Sequence, residues 1–197
     1  MNRMKFFKSL AAVLALVLIP SLAWAATAQS YLEAKQKELT ALIRQPSSAA
    51  TDKKLQTTFD AILDYDALAK DSLGTMWDER SEAERKEFQS LLTTLVQAAY
   101  TKNIRGTLDY NITFVGAQPA KDGQLVQTVA KHSTDARKEK VHIDYLVHQV
   151  GGSWRVYDII TEGSSLVKNY NSQFRSIVGR KGFPDLLSRM RKKAAEK

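Results

Sequence analysis

The run SWRVYDIITEGSSLVKNYNSQF, residues 153–174, decides the fold, because a strand pattern passes into a helix pattern with almost nothing between them. Trp154, Val156, Asp158 and Ile160 alternate with Arg155, Tyr157, Ile159 and Thr161, and β-branched and aromatic residues in that order suit a pleated surface. Both sets contain apolar residues, so both faces of the strand are expected to be covered. From Leu166 onward, Val167, Tyr170, Phe174, Ile177 and Val178 return at three- and four-residue steps, the spacing of a helix with one buried stripe. Between the two halves, Gly163 tolerates backbone angles closed to other residues, and Ser164 offers a hydroxyl to an unpaired helix amide. The chain is expected to fold back here and lay the helix over the sheet.

Upstream of this run lie the other strands. Tyr110, Ile112 and Phe114 alternate with polar neighbours, a turn at Pro119 and Asp122-Gly123 leads to a strand over 125–130, and a polar loop leads to a strand over 141–150 that ends at Gly151-Gly152. Short connections between consecutive strands predict an antiparallel meander. Before the strands come helices. Residues 26–45 carry Tyr31, Leu32, Leu39, Leu42 and Ile43 and stop at Pro46; residues 47–73 read as two short helices with a restart near Asp64 and an end at Gly74. The clearest helix opens at Ser81 and Glu84, an S-x-x-E capping box, and holds Phe88, Leu91, Leu92, Leu95, Val96, Ala99, Tyr100 and Ile104 on one broad stripe as far as Gly106. A last helix begins at Pro184 and Asp185, buries Leu186, Leu187 and Met190, and ends in a basic tail. Helices, then four strands, then helices predict an α+β single domain, with a curved four-stranded antiparallel sheet packed against several helices.

The first 25 residues are expected to stand apart from that domain. Arg3, Lys5 and Lys8 precede an apolar run over 10–19, then Pro20 and Ala23-Trp24-Ala25, the pattern of a cleavable secretory signal peptide; the run is shorter than the roughly 20 residues of a spanning helix. Cleavage after Ala25 leaves 26–197 as an exported chain. Net charge is +8, from 29 basic and 21 acidic residues, and losing the leader's three basic residues lowers it to +5. A modestly basic exported protein suits phosphate-bearing partners such as lipid head groups or membrane surfaces rather than nucleic acid. With no Cys, thiol chemistry is excluded and stability must come from packing.

Reactive groups are scarce. There is no nucleophile elbow, no phosphate-cradling glycine loop and no H-E-x-x-H pair, so neither a cofactor nor a catalytic site is expected. His142, Asp144 and His148 share a strand but are spread along it, which favours solvated strand residues over a metal site, and His132 sits in a polar loop. Asp158, placed by alternation among apolar residues, has two readings: a general base of a small isomerase-like enzyme, or a buried carboxylate bonded to backbone amides of the turn at Gly163 or to an Arg. Arg189, Arg191, Lys192 and Lys193 likewise read either as a protein-binding module or as a solvated tail. The surplus is apolar surface, on the helix from Ser81, the helix from Ser164 and the strand face of Val141, Ile143, Tyr145 and Val147.

The segments FDAILDYDALAK, LGTMW, ERKEFQSLLTTLVQAAY, WRVYDIITEGSSLVKNYNSQF and GFPDLLSRM occur in that order and resemble the MlaC-like proteins, also called toluene-tolerance auxiliary proteins. The resemblance implies a periplasmic carrier of phospholipid, or of a hopanoid-like lipid. It further implies two partners, an inner-membrane ABC transporter with an MCE-domain ring and an outer-membrane lipoprotein–porin complex, in the service of outer-membrane lipid asymmetry. It implies a monomer whose residues 26–197 form one lipid-binding domain enclosing an apolar cavity, with no cofactor. The family's pocket tyrosine corresponds to Tyr100, and Ser164 stands where the family usually has Val, a departure that alters the pocket beside the turn. Ile143, Tyr145 and Val147 take the apolar positions of the third strand, Val156 and Ile160 those of the fourth. Leu92, Val96, Leu166, Tyr170 and Phe174 complete the implied wall.

Overall fold

The computed structural model describes residues 27–196, so the expected leader over 1–25 lies outside the described residues. Six α-helices and a five-stranded sheet are found among them. α1 (Ala28–Ile43), α2 (Ala49–Asp60) and α3 (Tyr65–Leu73) precede a 3-10 turn over Gly74–Trp77, and α4 (Glu82–Asn103) runs into a second 3-10 turn over Ile104–Asp109. β1 (Tyr110–Ala120), β2 (Gly123–His132), β3 (Val141–Val150) and β4 (Ser153–Thr161) follow, then β5 (Ser164–Ser165), α5 (Leu166–Lys181) and α6 (Phe183–Ala195).

The helix starts are fixed by side chains that accept from otherwise unpaired amides. Ser81 does so for α4, where its hydroxyl takes the Glu84 amide at 3.3 Å while the Glu84 carboxylate takes the Ser81 amide at 2.9 Å, both halves of the capping box. Asp64 restarts the chain as α3 by accepting from the Ala67 amide at 2.9 Å. α5 is capped by Ser165, not by Ser164 as the sequence suggested: the Ser165 hydroxyl accepts from the Lys168 amide at 3.0 Å. The reason is that Ser164 and Ser165 first pair with Thr161 and Ile160, adding a fifth strand to the expected four. That hairpin is closed by Glu162 and Gly163 alone, both at positive φ (48° and 75°), the backbone a two-residue connection needs.

The sheet is antiparallel in simple order β1-β2-β3-β4-β5 and is not closed on itself. Two irregularities set which residues face inward. In β1 the register skips at Val115, which is left 64% exposed. In β4, Leu146 is opposite Asp158 but Val147 is opposite Val156, so Tyr157 is an extra residue, a β-bulge. Cross-strand partners share a face, so Val156 (with Val147) and Ile159 (with Tyr145) point the same way, while Asp158 and Ile160 pair with Leu146 and Asp144. The strict alternation expected for 154–161 therefore breaks: Ile159, not Asp158 or Ile160, continues the face of Val156.

Two apolar clusters hold the domain. One is helical, with Leu73, Phe88, Leu92, Phe174, Phe183 and Leu186 drawn from α3, α4, α5 and α6. The other joins Ala28 and Leu32 of α1, together with Ile62 and Leu63, to Val126, Val147 and Val156 of the sheet. Val96 on α4 packs against both. The link between α2 and α3 is stitched to the outer edge of β4: the Val156 amide donates to the Ile62 carbonyl at 2.8 Å and the Asp64 amide to the Val156 carbonyl at 2.9 Å. This covers backbone groups that an edge strand would otherwise leave open.

Candidate functional site

Between α1 and the sheet lies a cavity of about 420 Å³, within the roughly 300–1,000 Å³ of small-molecule sites. α1 contributes Leu32, Gln36, Leu39 and Ile43, spaced as one helical stripe. Phe59, Ile62 and Leu63 close one side, and Tyr100 and Ile104 at the end of α4 close another. The sheet supplies Tyr110, Ile112 and Phe114 of β1 with Tyr145, Val156 and Ile159. Polar groups on the lining include Gln36, Asn103, Thr107 and Asn111, and its two cations are Lys35 of α1 and Arg44, which caps the C-terminus of α1. Lys35 is paired with Glu38 at 2.8 Å, whereas Arg44 has no ion-pair partner among the described residues.

Tyr100 stacks on Phe59, with ring centroids 3.4 Å apart. Its hydroxyl is buried and has no hydrogen-bond partner among the described residues. Beside it, the Asp60 carboxylate accepts from Tyr65 Oη at 2.6 Å, Gln56 Nε2 at 2.8 Å and Gln97 Nε2 at 3.1 Å, tying α2, α3 and α4 together. Burial, and then the charge of Asp60, pushes the Tyr100 phenol well above its usual range; burial followed by the hydrogen bond to Asp60 does the same for Tyr65. Unfolded tyrosines ionise near pH 10, so the folded chain holds these protons where the unfolded chain loses them. Stability is thus fully present below about pH 10 and falls as pH rises beyond it. Absorbance titration should show these two phenols ionising only together with alkaline unfolding.

The residues expected from sequence do not fall in one place. Tyr100, Tyr145 and Val156 line this cavity. Leu92, Tyr170 and Phe174 line a different concavity on another side of α4, and Val96 and Val147 pack in the core behind. Ile143, Ile160, Ser164 and Leu166 line neither; Ser164 is exposed, and its hydroxyl accepts from Asn169 Nδ2 at 2.9 Å. Ile159 and the α1 stripe line the cavity without being among the residues expected from sequence, although the helical spacing of Leu32, Leu39 and Ile43 carries the signal.

Asp158 is 6% exposed and lines neither concavity. One oxygen accepts from the amides of Ile159 at 2.8 Å and Val167 at 3.1 Å; the other accepts from the Ser165 hydroxyl at 2.6 Å. It is a clamp that joins β4 to the first turn of α5, where the helix amides favour a negative charge. His148 is taken up in the same structural way, its Nε2 lying 2.7 Å from Asp64 Oδ2. Among the described residues no group of three or more His, Cys, Asp or Glu side chains could hold a metal ion. Nor, among them, is any helix long and apolar enough to cross a membrane.

No curated protein sequence matches the chain. Among solved structures, a phospholipid-binding protein from Ralstonia solanacearum, determined in complex with a phospholipid, superposes with a TM-score of 0.72. The match covers 87% of this chain and 98% of that one at 19% identity, a likeness of fold. Residues 33–192, which include α2 to α5 and every strand, match the MlaC protein family, and the chain belongs to it.

Proposed function

We propose that this protein is a lipid carrier that buries the acyl chains of a phospholipid in the cavity between α1 and the sheet. The observation that carries this reading is the cavity itself, of about 420 Å³, walled by apolar side chains from α1, the end of α4 and three strands. Each CH₂ kept from water is worth about 0.8 kcal/mol, so two chains of about fifteen carbons oppose a crossing through water by on the order of 20 kcal/mol. A carrier needs only to hide that surface, and no catalytic group is called for. The phosphate is left near Lys35 and Arg44, of which Arg44 is without an ion-pair partner among the described residues. Family membership and a fold shared with a phospholipid-binding protein support the reading.

The proposal extends to location and route: a monomer exported by the N-terminal signal, moving lipid across the periplasm between an outer-membrane complex and an inner-membrane MCE/ABC transporter. The test is direct. Mass spectrometry of lipid extracted from the purified exported protein is expected to find phospholipid in near-stoichiometric amount. Protein that is folded and consistently free of lipid, including after incubation with phospholipid vesicles, would falsify the reading.

A further inference from the structure

α4 borders two concavities. Tyr100 and Ile104 face the cavity described above, while Leu95, Ala98 and Lys102 line a second one of about 930 Å³ bounded by α5 and α6. Only Asn103 lines both, so the two are separate spaces divided by the last turns of α4. The floor of this groove is apolar, with Leu95 from α4, Tyr170, Phe174 and Ile177 from α5 and Met190 from α6, while Gln56, Gln97, Thr101 and Gln173 give its wall a polar share. Its charged lining is mainly basic, with Lys102, Arg189 and Lys193 against Glu196 alone. Arg189 is held by Asp185 at 2.6 Å, but Lys102 and Lys193 have no ion-pair partner among the described residues.

An apolar trough with unneutralised cations beside it suits a ligand that is hydrocarbon at one end and anionic at the other. A free anion would leave the apolar floor of the trough wet, and a neutral hydrocarbon would gain nothing from the basic residues at its edge. We infer that the groove between α4, α5 and α6 is a second lipid site, which takes an acyl chain of a second, anionic phospholipid with its phosphate beside Lys102 and Lys193. The inference rests on the carrier reading and adds a second molecule of cargo to it. Ala98 and Ala99 on α4 leave the room for that chain, so a larger side chain there closes the groove without reaching the α1 cavity.

Native mass spectrometry of the delipidated full chain, reloaded with dioleoyl phosphatidylglycerol, tests this by counting. The intact protein is expected to carry up to two lipids and the Ala98→Trp variant only one. The double variant Lys102→Glu/Lys193→Glu, altered only at exposed side chains and thus safe for folding, is expected to keep the first lipid and bind the second about tenfold more weakly or worse. An intact protein that never exceeds one lipid overturns the second site and leaves the carrier reading standing. A second lipid that survives in both variants also overturns it. No bound lipid at all removes both proposals together.

Discussion

Replacing Leu39 with aspartate is expected to lower phospholipid affinity by about 100-fold while the protein stays folded. Leu39 is half-buried on α1, and its side chain is part of the cavity lining. A carboxylate there must either strip its water against a hydrocarbon chain or keep that water and deny the chain its place, at a cost of about 3 kcal/mol, which is about 100-fold in affinity. With the cavity empty, the same carboxylate stays hydrated, so the melting temperature should move by only a few degrees. Lipid titration by fluorescence alongside a thermal melt separates the two effects. Unchanged lipid content in a folded Leu39→Asp protein would show that α1 is no wall of the binding site.

The second large effect is expected at Asp158, on stability rather than on binding. Asp158→Ala removes the acceptor of the Ile159 and Val167 amides and of the Ser165 hydroxyl, all next to a carboxylate only 6% exposed. Buried donors left without a partner cost about 1–3 kcal/mol each, and water entering at the start of α5 recovers part of this, so a net loss of about 3–4 kcal/mol is expected. For a domain of this size that lowers the melting temperature by roughly 10 °C. Asp158→Asn, which keeps one acceptor oxygen, should lose less. Lipid bound per folded molecule should be unchanged, because Asp158 lines neither concavity. A variant that melted like the parent would refute the clamp and reopen the question of what the carboxylate does.

Much of the scaffold was legible because local signals agreed with one another. The Ser81–Glu84 box announced α4, Gly74 closed α3, and the alternation of Tyr110, Ile112 and Phe114 announced β1. The differences have separate physical origins. Periodicity assumes a regular strand, and the extra residue at Tyr157 shifts every later side chain of β4 by one, so Ile159 took the position assigned to Ile160 and Asp158 lost its place beside Val156. The fifth strand was missed because two residues, Ser164 and Ser165, carry no pattern of their own; they become a strand only by pairing with Ile160 and Thr161. The cavity was placed against the long capped helix, yet the middle of α4, from Leu92 to Leu95, turns toward α5 and α6. Only its last residues reach the cavity, which α1 covers instead. Nothing in an apolar stripe says which partner it will meet, and the choice between helix and sheet is made by tertiary packing.

That fatty chains lie between α1 and the sheet is tested most directly by a phospholipid with a photoreactive diazirine at the end of one acyl chain. After loading, irradiation and peptide mapping, cross-links are expected on the peptides that carry Leu39, Phe114 and Ile159, and they should fade in the Leu39→Asp protein. Cross-links confined to exposed surfaces, with none on α1 or on the strands that line the cavity, would contradict the account.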